Sequence, residues 1–280
     1  MASAFPLKTQ IQGSGFPVLC LHGHPGSGQS MGVFTHPLSQ HFTTIAPDLR
    51  GYGSSQTRQP FEMADHLVDL EALLDHLAIE RCLVLGWSLG GILAIELALR
   101  YPERITGLIL IATAARPVGN HPPVDWSTYA LTGVAGLVNW ALPGVQWNID
   151  WFGRRSLFRY LVRTHTPSTY RYLAQDAVTA YLTTSTQANA ALNTALRQRY
   201  NRLNQLHRLT CPSLMLAGAE DVHITAASSL ETAAHLPNCQ SHCYPHVAHL
   251  FPWEIPQQVL QDIDQWLANY PEITSIAEAN

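Results

Sequence analysis

The chain has 280 residues, of which 46% are apolar and 13% charged, and its formal net charge is only −4. It can bury a large core as one domain with an insertion. So balanced a charge names no polyionic partner for the whole molecule, and nucleic acid is not expected. The apolar stretches around 83–99 and 107–115 are interrupted and periodic, which excludes a continuous membrane-spanning run. The opening residues, Met1 to Lys8, lack a basic flank and a long apolar region, so no secretory signal is expected. Five cysteines, an odd number without framework spacing, read as reduced thiols of a cytoplasmic protein. Cys239 and Cys243 have no second pair to complete a zinc site, and none of the fourteen histidines sits in an H-E-x-x-H pattern. Neither metal nor cofactor is expected.

In chain order, strands are predicted over Leu7–Gln12 and Val18–Leu21, joined by the turn Gly13-Ser14-Gly15. A polar, glycine-rich loop, His22 to Gly28, follows. The next strand, Thr43–Ala46, runs into Pro47-Asp48-Leu49-Arg50-Gly51-Tyr52-Gly53. Leu67, Leu70, Leu74 and Leu77 fall at helical spacing and predict a helix over 62–78. A strand over 82–85, a helix over 89–100 and a strand over Leu108–Ala112 come next. Short apolar strands alternating with helices imply a mainly parallel, doubly wound α/β sheet covered on both faces. The rhythm breaks over 117–208, where helical periodicity without strand alternation predicts an inserted helical cap. It resumes with strands at Ser213–Ala217 and Ser241–Tyr244 and a helix from Ile255 to Ala268, and the polar tail after Pro271 is expected to fray. The expected division is therefore a core of 1–116 and 209–280 and a cap of 117–208.

The chemistry centres on Gly86-Trp87-Ser88-Leu89-Gly90, a G-x-S-x-G sequence between a buried strand and a helix. A serine on so tight a turn has its hydroxyl thrust out of the sheet, with glycines leaving room for the backbone. An activated serine also needs a base, a group that orients the base, and oxyanion donors. In open α/β sheets such groups collect at the carboxyl ends of strands. Asp221 follows the strand ending near Gly218, and His249 follows the last strand, in the order Ser, Asp, His. Glu220 and His246 are the competing neighbours. Spacing from Gly218 favours Asp221, and the offsets to Glu254 and Pro256 favour His249. His22, Asp48 and Arg50 read as braces of their loops.

The chain resembles the α/β-hydrolase superfamily, and within it the capped, single-domain group that includes carboxylesterases, C–C bond hydrolases and cofactor-free perhydrolases. The likeness rests on His22-Gly23-His24-Pro25-Gly26-Ser27, Asp48 to Ser55, Gly86 to Gly91, Gly218-Ala219-Glu220-Asp221, and His249 with Glu254-Ile255-Pro256. The chain departs from the family pattern at Ala248, where glycine is common, and at Thr225, where proline is frequent. The resemblance implies Ser88 as nucleophile, His249 as base and Asp221 as its orienter. It also implies the backbone N–H groups of Leu89 and His24 as oxyanion donors. The implied reaction is hydrolysis of a carboxylic ester or thioester through an acyl-enzyme. The same triad serves C–C cleavage and perhydrolase or haloperoxidase-type chemistry. A ligand receptor on a hydrolase scaffold is the reading from another class, because a fold alone does not fix activity.

The cap supplies the substrate expectations. Trp87, Trp126, Trp140, Trp147, Trp151 and Phe152 are candidates to line an apolar pocket over Ser88, which favours a hydrophobic acyl substrate. Nine of the fifteen arginines lie within 117–208, opposed there only by Asp125, Asp150 and Asp176. Arg155, Arg159 and Arg163 recur every four residues and are predicted to form one stripe on a helix. Such a stripe is either a solvated face or a dock for an anionic carrier or surface, such as acyl carrier protein or anionic lipid. The elbow Gly-Trp-Ser-Leu-Gly-Gly is similar to that of carboxylesterases that cleave pimeloyl-carrier methyl ester.

Overall fold

The computed structural model describes residues 3–174 and 178–274, so Asp176 and the tail beyond Thr274 lie outside the described residues. Seven strands form one sheet in the order β1-β3-β2-β4-β5-β6-β7. They are β1 (Thr9–Gln12), β2 (Pro17–Leu21), β3 (Thr43–Pro47), β4 (Cys82–Trp87), β5 (Ile105–Ile111), β6 (Ser213–Gly218) and β7 (Cys239–Tyr244). β1 runs antiparallel to β3, and every other neighbouring pair is parallel. Alternate residues of each central strand enter two separate cores, because successive side chains leave opposite faces. Val18, Cys20, Leu83, Leu85, Ile109 and Ile111 join one apolar cluster. Leu19, Leu21, Cys82, Val84, Leu108 and Leu110 join the other. Burial on both faces is what a parallel sheet under two helical layers requires, and each buried Leu or Ile contributes about 1.5–3 kcal/mol.

Among the described residues, nine α-helices lie between β1 and β6, three before β5 and six after it. α1 (Gly32–Leu38), α2 (Asp65–His76) and α3 (Leu89–Arg100) belong to the first part of the chain. Between β5 and β6 the described residues are helical or irregular: α4 (Trp126–Ala141), α5 (Gln146–Trp151), α6 (Phe158–Leu161), α7 (Pro167–Tyr172), α8 (Val178–Leu182) and α9 (Thr186–Arg197). α10 (Ala226–His235), α11 (Phe251–Glu254) and α12 (Pro256–Asn269) complete the chain. Ile149, Phe158 and Tyr170 of the helical segment join the cluster of Val18 and Leu85. Ala188, Ala191, Leu203 and Leu206 join the other cluster.

Several sequence expectations need correction. β1 begins at Thr9 rather than Leu7, because Lys8 is tied to the 48–55 turn through Asp48 N–H (2.8 Å) and Ser55 Oγ (2.9 Å). α1 was not anticipated, since Pro37 lies inside it and its pattern is weak. The helix predicted over 62–78 is α2, shorter at both ends, and Ala78 leaves it with a φ of 52°. β7 starts at Cys239, two residues early; the helix predicted from Ile255 to Ala268 is α12, and the short α11 just before it was not anticipated. Pro271–Ile273 form an ordered turn with Ile273 buried, so the chain stays packed past Pro271. Arg155, Arg159 and Arg163 do not share a helix: Arg155 ends a 3-10 turn, Arg159 lies in the one-turn α6, and Arg163 follows the extended Val162. Arg163 instead pairs with Glu220 at 2.5 Å.

The chain leaves β3 on one side of β2 and returns as β4 on the other, so the strand order switches direction there. Loops at the carboxyl ends of β2 and β4 splay apart at such a switch and open a crevice. These loops carry His22–Gly28 and Ser88.

Candidate active site

Ser88 joins β4 to α3 with φ 54° and ψ −115°, a conformation that a residue with a Cβ rarely adopts. Neighbouring hydrogen bonds hold it there. Its N–H donates to the Ile111 carbonyl at 2.8 Å, and its carbonyl accepts from Thr113 Oγ1 at 2.8 Å. Both flanking glycines are needed for space. A Cβ on Gly86 would sit 2.6 Å from Gly91 Cα, and one on Gly90 would run into the Leu21 carbonyl. The hydroxyl is left at the mouth of the crevice on a residue 8% exposed.

Ser88, His249 and Asp221 come together although they lie on three loops. His249 Nε2 is 3.1 Å from Ser88 Oγ, and His249 Nδ1 is 2.7 Å from Asp221 Oδ2. A proton on Nδ1 donated to the carboxylate leaves the Nε2 lone pair facing the serine hydroxyl. Asp221 Oδ1 accepts from the backbone N–H of His223 at 2.8 Å and of Ile224 at 3.1 Å. Burial pushes the Asp221 carboxyl up, but His249 and these two N–H groups outweigh it and hold it below the usual carboxylate range. It is therefore ionised at neutral pH. The competing neighbours do not reach: Glu220 is engaged by Arg163 and, at 3.5 Å, by His246, which is itself exposed. Glu254 fastens the histidine loop, accepting from Ala248 N–H at 3.0 Å with one oxygen and from Arg163 N–H at 2.8 Å with the other.

Leu89 opens α3, so its N–H has no carbonyl one turn back and is free for another acceptor. His24 lies across the crevice on the loop after β2. Its ring meets Tyr52 Oη at 2.9 Å, and burial keeps its pKa down despite a hydrogen bond to the Asn189 side chain. His22 braces this loop. Its Nε2 accepts from Leu49 N–H at 3.1 Å, which leaves the Nδ1 proton to donate to the Gly23 carbonyl at 2.8 Å. Burial pushes His22 down to about 4, so it stays neutral. Asp48 holds the turn through Gly28 and Ser54 N–H groups, both at 2.7 Å, and Arg50 forks onto Asp69 of α2.

The aromatic expectations divide. Trp87 is buried and packs edge-on to Trp253 with centroids 4.6 Å apart and against His249 at 5.7 Å, so it walls the His249 ring. Phe152 is half-buried beside the core. Trp126, Trp140, Trp147 and Trp151 are exposed and do not enclose a pocket over Ser88. Their helices turn Thr128, Ala135, Asn139, Asn148 and Ile149 inward instead. A cleft of about 910 Å³ lies between α2, α3 and α9, with Ile92, Glu96 and Arg199 in its wall, and Ser88, Asp221 and His249 do not line it.

Two histidines beside the base escaped sequence reasoning. The His223 ring centroid is 5.1 Å from that of His249, and His121 Nε2 lies 3.0 Å from His223 Nδ1. Burial first, then the neighbouring His249 and His121, push His223 down to about 3. His223 could have been suspected from its place two residues after Asp221. Nothing in sequence signals His121, because Asn120 N–H must first pair with the Val222 carbonyl to bring it there. Among the described residues, no group of three or more His, Cys, Asp or Glu is placed to hold a metal ion, and no helix is long and apolar enough to cross a membrane.

The chain is similar to known proteins. A family model for the alpha/beta hydrolase fold matches residues 17–256. The chain is 28% identical over 274 residues to a pimeloyl-[acyl-carrier protein] methyl ester esterase of Nitrosomonas europaea, covering 92% of this chain and 98% of that protein. It is 27% identical over 274 residues to a 2-hydroxymuconate semialdehyde hydrolase of Pseudomonas putida, covering 96% and 92%. A solved thermophilic esterase of Thermogutta terrifontis superposes with a TM-score of 0.69 at 28% identity, covering 96% and 94%. Uncharacterized mycobacterial relatives are 36% identical, but the match spans 37% of this chain and only 30% of their length. The strand order, the serine turn and the family match agree: the chain belongs to the alpha/beta hydrolase fold family.

Proposed function

We propose that this hydrolase cleaves a carboxylic ester or thioester of a hydrophobic acyl group through an acyl-enzyme on Ser88. The observation that carries the reading is the hydrogen-bonded line from Asp221 Oδ2 through His249 to Ser88 Oγ, with steps of 2.7 Å and 3.1 Å. His249 Nε2 takes the Ser88 proton as Oγ attacks the carbonyl carbon. The oxyanion is received by the N–H groups of Leu89 and His24, each such donor contributing ~10²–10³ in rate. Collapse expels the alcohol or thiol, which leaves with the proton from His249. Water, deprotonated by His249, then attacks the acyl carbon, and the acid departs as Ser88 regains its proton. Asp221 keeps its charge throughout, fixing the tautomer and stabilising the imidazolium.

The family-wide likeness to an acyl-carrier methyl ester esterase supports the ester reading. The likeness to a semialdehyde hydrolase, over 96% of the chain, supports a second reading in which the same serine cleaves a C–C bond next to a carbonyl. A series of esters and thioesters of rising acyl length, run on wild type and Ser88→Ala beside a vinylogous diketone, separates the two. Preferred turnover of the esters, lost in Ser88→Ala, is expected. Turnover of the diketone alone would replace the first reading by the second.

A further inference from the structure

α4 is inside out. Over its 16 residues the buried positions are Thr128, Ala135 and Asn139, which are small or polar. Its large apolar residues point outward: Trp126 is 81% exposed, Leu137 71% and Trp140 65%, with Tyr129 beside them. Positions 126, 129, 133, 137 and 140 advance by three or four residues and so share one helix face. Gly133, in the middle of that face, looks onto open space. The series continues into α5, which packs on α4 and leaves Trp147 and Trp151 exposed. A contiguous apolar face of this kind on a water-soluble fold marks a surface that something covers.

The chemistry around the face selects the occupant. Residues 126–149 contain no charged side chain, and the next residues bring Arg154, Arg155 and Arg159. The 3-10 turn holding Arg154 and Arg155 packs against both α4 and α5, and Leu157 N–H is tied to Thr132 Oγ1 of α4 at 2.9 Å. Of the two acids that flank the segment, Asp150 is already paired with Arg154 at 3.3 Å, and Asp125 caps α4, accepting from Thr128 N–H at 2.8 Å. Trp and Tyr have an apolar body and a polar tip, which suits the level where lipid chains meet headgroups. Arginines at the rim add attraction to anionic lipid. A symmetric pairing of two copies through α4 would bring the arginine rims together, with one acid per copy, the α4-capping Asp125, to set against Arg155 and Arg159.

We propose that the outward face of α4, continued by α5 and rimmed by Arg154, Arg155 and Arg159, seats on the interface of an anionic lipid bilayer. α4 lies in the plane of that interface, with Leu137 and the tryptophans among the upper acyl carbons and the guanidinium groups at the phosphates. This seating does not depend on which bond the enzyme cleaves.

The test is co-sedimentation of the full chain with vesicles of phosphatidylcholine alone and of phosphatidylcholine mixed equally with phosphatidylglycerol, followed also by tryptophan emission. Wild type is expected to sediment with the mixed vesicles, less with phosphatidylcholine alone, and its emission to shift to the blue. Tyr129→Ser combined with Leu137→Ser is expected to partition roughly tenfold more weakly, with its thermal unfolding and its turnover of a short soluble ester unchanged. Arg155→Ala combined with Arg159→Ala is expected to lose the preference for phosphatidylglycerol. Wild type remaining in the supernatant with both vesicles would overturn the proposal. So would light scattering that shows a dimer dissolved by Tyr129→Ser and Leu137→Ser, which would assign the face to a second copy.

Discussion

Glu254 holds the backbone of Ala248, the residue before His249, through a 3.0 Å hydrogen bond. Its other carboxylate oxygen holds Arg163 and Thr164 of the helical segment, so one side chain joins the His249 loop to the chain after α6. Removing it frees three N–H groups, each bond to a charged acceptor being worth about 1.5–3 kcal/mol. Glu254→Ala is therefore expected to lower kcat about tenfold or more with little change in KM, because a displaced base harms chemistry more than binding. Glu254→Gln, which keeps an acceptor, should recover part of kcat. Steady-state kinetics on the two variants checks this.

The nucleophile turn has no room for side chains beside it. Gly86→Ala places a methyl group 2.6 Å from Gly91 Cα, against backbone that cannot swing away. A loss of stability of roughly 2–4 kcal/mol is expected, in the range of overpacked and strained sites, together with loss of esterase turnover. Chemical denaturation of Gly86→Ala and of Gly133→Ala, whose added methyl meets open space, makes the comparison: only the first should be destabilised.

Acid should weaken the fold through its buried neutral histidines. His22 is held near 4 by burial, against an ordinary value of 6.5. The unfolded chain therefore takes up a proton first as pH falls, and stability present above about pH 6.5 is lost progressively down to about pH 4. A shift of this size corresponds to roughly 3 kcal/mol. His22→Gln keeps an acceptor for Leu49 N–H without titrating, so urea unfolding at a series of pH values should show a shallower acid slope for the variant.

Thiol reactivity should follow exposure. Cys20 and Cys82 are buried, and burial pushes both up to about 12, whereas Cys243 is exposed. With Ellman's reagent at mildly alkaline pH, native protein should react first at Cys243, and Cys20 and Cys82 should react only after denaturation. Peptide mapping of the labelled thiols identifies the order.

These expectations draw on parts of the molecule that sequence revealed unequally. The central strands were legible because each is a short, continuous apolar run, as burial on both faces demands. The meeting of Ser88, Asp221 and His249 was legible because each follows a strand end: Ser88 after β4, Asp221 after β6 and His249 after β7. α1 was not, since Pro37 and a short amphipathic pattern look like loop. The arginine spacing misled, because a period of four says nothing once the chain becomes extended at Val162. The tryptophans misled for a related reason. Periodicity finds the apolar face of a helix, and α4 turns that face outward. His121 was invisible because long-range backbone pairing alone brings it to His223.

The central claim is that Ser88 is the nucleophile, and active-site labelling with a fluorophosphonate, mapped by mass spectrometry, tests it most directly. A single adduct on Ser88 is expected in the native enzyme. It should be absent in Ser88→Ala and greatly slowed in His249→Ala, with ester turnover falling roughly 10⁴-fold or more in both. An adduct on another residue, or ester turnover that survives in folded Ser88→Ala, would contradict the account.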